Sequence, residues 1–446
     1  LNCEHASTSA RTEPPFPAAL YIMSPLLPKG GTILQKFSAS QLYMFMVFMM
    51  SLAGSTIFTT YSIYYVTELG LNPFQLVLVG TVLEITVLIF EGITGVVADT
   101  YSRRLSVING MFVLGSAFVL EGSIIWIMQP ASFLPAFGWL VVSQMLFGIG
   151  WTFVSGADTA WIVDELDEEQ TGAIFMRSKV FALSASLLGI AVSVGLSLLA
   201  PNMPFLAGGA VYFMLGLVLI RYMKETGFIR REREPHTSPI RELGKTWVSG
   251  VSVLRHHPLL LLLTVVTLFN GAASEGYDRL WQIHLIDEIG FPDASVSMAV
   301  WFGLISAAAT MLGMLAVRFA GKRMDLLLER KLSATLFILT CIRMGCILLL
   351  ALAPNFSAAI FAVLLLGVAG SVSDPIYTTW LNSKLPSRNR ATVLSMISQS
   401  DALGQSAGGP VVGYIGSRFS IRASILAAGF LLLPILALFG KVMRKR

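Results

Sequence analysis

Apolar runs of about 20 residues, long enough to cross a bilayer as helices, follow one another down this chain with short polar connections. They predict helices near 41–66, 73–98, 105–128, 137–163, 178–200 and 204–223. A polar segment, 224–257, interrupts the series. Further helices are predicted near 259–286, 295–320, 333–353, 357–383, 391–416 and 420–441. The pattern is six spans, a linker and six spans. It divides the chain into an N-terminal tail (1–40), a first bundle (41–223), a linker (224–257), a second bundle (258–441) and a basic tail (442–446). Residues 1–22 are polar and rich in proline, and read as a disordered tail or as translation upstream of a start at Met23.

Charge gives the orientation. Of the 31 lysines and arginines, all but Arg11, Arg279, Arg343, Arg418 and Arg422 fall on one side of a twelve-span arrangement. Lys and Arg accumulate in cytoplasmic loops, so both termini and the linker are expected inside, in a cell (inner) membrane. The halves also repeat at an offset of 219: Thr159-Ala160-Trp161 aligns with Thr378-Thr379-Trp380, Gly148 with Gly367, and Arg103-Arg104 with Lys322-Arg323. Duplication of a six-helix unit is a transporter pattern. Within the linker, 239–255 has the spacing of an amphipathic surface helix, although a plain tether between the halves is the preferred reading.

Composition agrees. The 446 residues are 55% apolar and 13% charged, with a mean hydropathy of +0.72, against about 25% charged in soluble domains. The net charge of +5 is explained by loop cations and needs no nucleic-acid partner. Cys3, Cys341 and Cys346 have no metal-site or disulfide spacing. There is no nucleotide-binding glycine loop, metal cluster or nucleophile constellation, so neither an enzyme nor a cofactor is expected. Nothing marks an oligomer interface, and a monomer is expected.

Charges within the spans carry the chemistry, because an ionisable group at mid-bilayer is costly. Glu84 and Glu91 share one face of the second span; Asn270 and Glu275 lie near the middle of the seventh, with Asp278, Arg279 and His284 further out. Asp158 lies low in the fourth span, and Asp401 near the middle of the eleventh. Asp374-Pro375 is expected to break the tenth span. Glu121 is expected near the outer end of the third, within reach of water. Glu84, Glu91, Glu275 and Asp401 are the proton-coupling candidates. Tyr61, Tyr64, Phe153, Asp158, Asn270, Glu275 and Asp374 are candidates for a substrate cavity, with Trp161 and Trp281 adding aromatic surface. Arg343 has no obvious partner. The eleventh span contains GQSAGGPVVGYIG, whose Gly404, Gly408 and Gly413 form a small face around Pro410, suited to close or sliding helix contact.

The stretch GVVADTYSRR ends the second span with Gly95, Asp99, Arg103 and Arg104. The arginines cannot enter hydrocarbon, and Asp99 can hold an arginine or the amides of a neighbouring helix start. This stretch resembles the G-x-x-x-D-x-x-x-R-R signature of the major facilitator superfamily. Thr100 stands where that signature usually has a basic residue, and Ser102 where it has glycine. The resemblance covers about 40–441 and implies an all-α membrane protein of twelve helices in two pseudo-repeated bundles. These rock around a central site to give alternating access, with Asp99, Arg103 and Arg104 latching the cytoplasmic side. SGADTAWIVDEL resembles the end of helix 4 in bacterial drug exporters of the macrolide-efflux type, which implies proton-coupled antiport and multidrug efflux. The arginine that such exporters usually carry in helix 4 is here Gln144, and their helix 5 G-P pair is missing. The expected function is therefore secondary active transport of a small molecule. Proton-coupled export of amphipathic compounds is the first reading, proton-coupled uptake of a polar solute the second, and a non-transporting scaffold the last.

Overall fold

A computed structural model describes residues 37–128, 132–166, 168–228, 258–323, 329–384 and 390–444. The described residues form helices without a strand. Twelve helices follow the expected order: α1 (Ala39–Glu68), α2 (Pro73–Thr100), α3 (Arg103–Ile127), α4 (Ala136–Glu165), α5 (Glu168–Ser197), α6 (Met203–Tyr222), α7 (Leu260–Ile289), α8 (Met298–Arg323), α9 (Glu329–Ala351), α10 (Phe356–Lys384), α11 (Arg390–Arg418) and α12 (Ile421–Lys441). Eleven are long and apolar enough to span a membrane. The exception is α11, whose glycines and polar residues dilute its apolar character. Residues 1–36 and 229–257, including the expected surface helix at 239–255, lie outside the described residues.

Local chemistry sets the helix starts. Ser38 with Gln41, and Asn72 with Gln75, form capping boxes ahead of α1 and α2, and Pro73 takes the first turn of α2. Ser102 and Ser420 cap α3 and α12. The start of α5 differs from expectation: it begins at Glu168 rather than near 178. The intervening stretch includes the good helix formers Glu168, Glu169, Gln170, Ala173, Met176 and Arg177, so the helix extends beyond its continuous apolar part.

Helices pair alike in both halves. α1 lies on α5 as α7 lies on α11, and α2 on α4 as α8 on α10. Both α1 and α7 end in a π-turn, Tyr64–Glu68 and Leu285–Ile289, followed shortly by a glycine at positive φ, Gly70 at 63° and Gly290 at 76°. This local feature supports the duplication independently of the aligned side chains. α4 breaks at Gly156, φ 79°. The offset of 219 places Pro375 at the same position of the second half, yet α10 runs unbroken through it. The expected break at Asp374-Pro375 is therefore corrected. Proline removes one N–H but is tolerated where neighbouring helices support the backbone.

The halves meet at the end remote from the linker. α11 presents two glycine faces there. Gly404 and Gly408 face α7, where a Cβ on Gly408 would come within 2.6 Å of Ala272 Cα. Gly409 and Gly413 face α2 of the other half, 2.8 Å from Thr81 Oγ1 and 3.0 Å from Val77 Cβ by the same construction. The stripe thus makes a tight crossing inside its own bundle and a seal between bundles. α1 breaks after Phe58, Thr60 contacts Ser193 (3.0 Å), and the freed Thr59 carbonyl accepts Gln282 Nε2 from α7 at 3.2 Å. Tyr61 donates its hydroxyl to the Asp278 carbonyl at 3.0 Å. Gly303 of α8 packs on Val194 of α5.

A Cβ at Gly404 would collide with the Leu268 carbonyl, whereas one at Gly195 would meet open space. Gly404→Ala is expected to destabilise the protein by about 1–3 kcal/mol through overpacking, read as a lower melting temperature in detergent. Gly195→Ala is expected to match or exceed the unsubstituted protein. Equal melting of both variants would remove the packing role.

Candidate functional site

In the second half α7, α9, α10, α11 and α12 surround a cleft, with Tyr377 of α10 joined to α7 at Thr267 and Leu263. Arg343 of α9 lines two adjoining cavities there, of about 190 and 200 Å³. Its Nη1 donates to Asn270 Oδ1 at 2.8 Å. Asp374 of α10 and Asp401 of α11 line the first cavity with it, and Asp278 lines the second. Asp401 accepts Gln405 Nε2 at 2.9 Å, and the Tyr377 hydroxyl meets Thr267 at 2.5 Å. Among the described residues no carboxylate lies within 4.0 Å of the Arg343 guanidinium. The structure thus brings together three sequence candidates, Asn270, Asp374 and Asp401, around a residue left without a role. A lone arginine inside an apolar span was the available signal; its neighbours come from helices that the sequence does not align.

Glu275 is 2% exposed and forms an ion pair with Arg279 one turn on, at 3.1 Å. The pair packs against Gly80 of α2, where any side chain would overlap it. Glu84 and Glu91 are half-buried on α2, and their carboxylates make no hydrogen bond among the described residues. Glu84 lies in the electrostatic reach of Glu275, Asp401 and Arg279. Of the four acids named for proton coupling, one is engaged by a cation and two are open.

Several aromatic candidates lie elsewhere. Tyr64 is fully buried, donating to the Glu121 carbonyl at 2.9 Å, so it is not a cavity wall. The π-turn directs it into the first bundle. Tyr61 is 8% exposed and bridges the halves. Trp161 is buried and donates to the Lys224 carbonyl at 2.6 Å. Phe153 is half-buried ahead of the α4 break, and Asp158 accepts the Thr159 amide at 2.6 Å just after it. Trp281 packs edge-on against Phe302.

Glu121 is 1% exposed, which corrects the expectation that water reaches it. Its carboxylate is bonded by Tyr65, by Ser143 (2.7 Å) and by Gln144 (3.1 Å). Gln144, noticed in the sequence only as a missing arginine, is therefore a neutral partner for a buried acid.

At the linker end, Asp99 is 47% exposed and lies 3.6 Å from Arg103. Besides this ion pair, Arg103 binds Asp164 and donates to the Ala160 carbonyl at 2.9 Å, both at the end of α4. Arg104 donates to the Met223 and Ile220 carbonyls at 2.7 and 2.8 Å, satisfying the end of α6. Glu225 accepts the Arg103 amide at 2.7 Å and the Ser102 hydroxyl at 2.5 Å, at the positive end of α3. Glu165 accepts the Gly227 amide at 2.9 Å. Both arginines thus tie the first bundle together, and the first residues of the expected linker are part of that knot. Gly95 is exposed.

Comparison with known proteins decides the family. Residues 43–344 and 319–446 match the sequence profile of the Major Facilitator Superfamily. The chain belongs to the major facilitator superfamily. It is a multi-pass membrane transporter and not an enzyme. Over 386 residues it is 25% identical to the uncharacterised MFS-type transporter YxaM of Bacillus subtilis (strain 168), covering 85% of this chain and 90% of that one. The fold is also that of the nucleoside transporter NupG (TM-score 0.68, 11% identity, 92% of this chain and 100% of that chain). It is shared with an inward-facing, unoccupied bacterial homolog of the human lysosomal transporter Spinster (TM-score 0.67, 13% identity, 91% and 96%).

Hydrogen bonds to a charged group contribute about 1.5–3 kcal/mol each. Glu225→Gln is expected to lower thermal stability and to speed amide hydrogen exchange at Arg103 and Arg104 severalfold. Unchanged exchange at both amides would mean that Glu225 does not cap α3.

Proposed function

We propose that this facilitator moves a small polar solute by proton-coupled alternating access, in a cell (inner) membrane with both termini cytoplasmic. The observation that carries the reading is the arrangement of seal and charge. The halves close on each other at one end through glycine faces, while unpaired acids and an arginine lie further in, toward the linker end. The distribution of lysine and arginine supports a cytoplasmic linker end, and on that orientation the conformation is inward-facing. Exposure of Asp99 fits a state in which the cytoplasmic latch is open. In the outward-facing state, Asp99 would approach the start of α11 while Arg103 and Arg104 keep the ends of α4 and α6 in place.

Glu84 is the leading proton carrier. It is unbonded, and it stands in the electrostatic reach of Glu275, Asp401 and Arg279 in the other half. Glu91 extends the path toward the cytoplasm along the same face. Glu275 is less free because Arg279 engages it. Asp401 is the rival.

Export of amphipathic, drug-like compounds is the second reading. A cavity between α1, α5 and α8 favours it, being lined by Ser51, Gly54, Ser186 and Ser306 with Phe58 39% exposed. A polar solute is preferred because the cleft between α7 and α10 carries Arg343, Asp374 and Asp401, and Tyr61, Tyr64 and Trp161 are buried.

The deciding experiment is a solute screen in proteoliposomes with an imposed pH gradient. Glu84→Gln is expected to abolish gradient-driven accumulation while retaining passive exchange; continued accumulation would move coupling to Asp401. Asp99→Asn is expected to reduce turnover in a protein that still expresses and folds, and normal turnover would reject the latch. Extrusion of a fluorescent amphipathic cation, with no polar solute carried, would favour the second reading.

A further inference from the structure

We propose that the cleft between α7 and α10 is a binding site for a zwitterion, with the ligand's carboxylate on Arg343 and its amine on Asp374 and Asp401. This inference rests on the transport reading and names the solute class.

The argument is one of opposite charges kept apart. Among the described residues Arg343 has one hydrogen bond, from Nη1 to Asn270, which leaves the rest of its planar fork without a partner there. Asp374 makes no ion pair among the described residues, and Asp401 accepts only from Gln405. All three line one cavity, together with apolar residues such as Leu336, Ile435 and Phe439. Opposite charges lining one cavity attract each other and would draw into a pair unless restrained. The restraints are visible. Asn270 holds the guanidinium on the α7 side. Asp401 is fixed by Gln405, and its helix is seated on α7 through Gly271 and Gly404. Asp374 belongs to α10, across the gap.

A cleft with unpaired charges of both signs has a ligand of both signs as its complement. A carboxylate can take the free edge of the arginine fork in a bidentate contact. A primary amine can donate to the two aspartates and relieve their mutual repulsion. A simple amine would leave Arg343 uncompensated, and a simple carboxylate would enter facing two acids. The hydroxyls of Thr267, Thr340 and Tyr377 around the same cavity suit a small polar body between the two charges.

The test uses the purified full-length protein in detergent, without a gradient. Binding is measured calorimetrically for glycine, β-alanine, γ-aminobutyrate, the common α-amino acids and glycylglycine, against butylamine and butyrate. At least one zwitterion is expected to bind about tenfold or more tightly than either single-charge analogue, as loss of one charge-assisted contact implies. Arg343→Gln and Asp374→Asn are each expected to weaken it by a similar factor. Arg343→Lys, which keeps the charge without the fork, should give an intermediate loss and guards against a misfolded Gln variant. Size-exclusion profiles check the fold. The proposal is overturned if no zwitterion binds, if butylamine or butyrate binds as well, or if both Arg343 variants keep full affinity. A zwitterion that binds but is never carried in proteoliposomes would sink the transport reading and leave the site. Carriage of a solute lacking either charge, with zwitterions inert, would do the reverse.

Discussion

Hydrocarbon offers no partner to a backbone N–H or C=O, and this constraint governs the structure. It makes every span a helix and turns each interruption into a decision about where freed groups go. The Thr59 carbonyl, released where α1 breaks, is taken by Gln282 of the opposite half. The last carbonyls of α6 are taken by Arg104, and the first amides of α3 by Glu225. The positions where the chain departs from helix are therefore the positions where separate helices are joined. Side-chain oxygen and guanidinium groups make these joints, while glycine and the aliphatic residues make the remaining contacts.

The same constraint sorts the charges. Those that build the protein are matched: Arg103 with Asp164, Arg279 with Glu275, Glu288 with Arg422 at 2.6 Å. Glu121, without a cation within bonding distance, is enclosed by neutral donors. Against this background, among the described residues the carboxylates of Glu84, Glu91 and Asp374 have no bonded partner and Arg343 has only Asn270. Burying a charge without a partner is costly; Glu84 and Glu91 on α2 and Arg343 on α9 are half-buried, and Asp374 on α10 is exposed.

Much of this was legible in the sequence. Apolar length gave the helix count, and the loop cations gave the expected orientation. The starts expected near 73 and 420 lie beside Asn72 and Ser420, which the structure shows to be caps. The repeat was faint in identities such as Gly148 and Gly367 because packing tolerates many substitutions; the paired π-turns carry it more clearly, and no residue pattern announces them. The acids of α2, α7 and α11 could be named from hydropathy alone. Their partners could not, since Arg343 meets Asn270 across 73 residues and Tyr65 meets Glu121 across 56. Aromatic side chains misled, because a tyrosine serves equally as a cavity wall and as a buried donor, and only the turn geometry at Tyr64 separates the two.

The seal between the bundles is weak in a particular sense. Among the described residues no ion pair crosses it; two cross-bundle hydrogen bonds, Tyr61 to Asp278 and Gln282 to Thr59, accompany the glycine packing. Each such bond is worth about 1 kcal/mol net, and van der Waals attraction given up at one face of the membrane can be made again at the other. On the alternating-access reading, the open and closed arrangements would then be separated by little free energy. A difference of about 1.4 kcal/mol changes their ratio tenfold, so a solute or proton with a modest preference for one arrangement can reverse the balance. A seal built of salt bridges would have closed more firmly and made a slower machine.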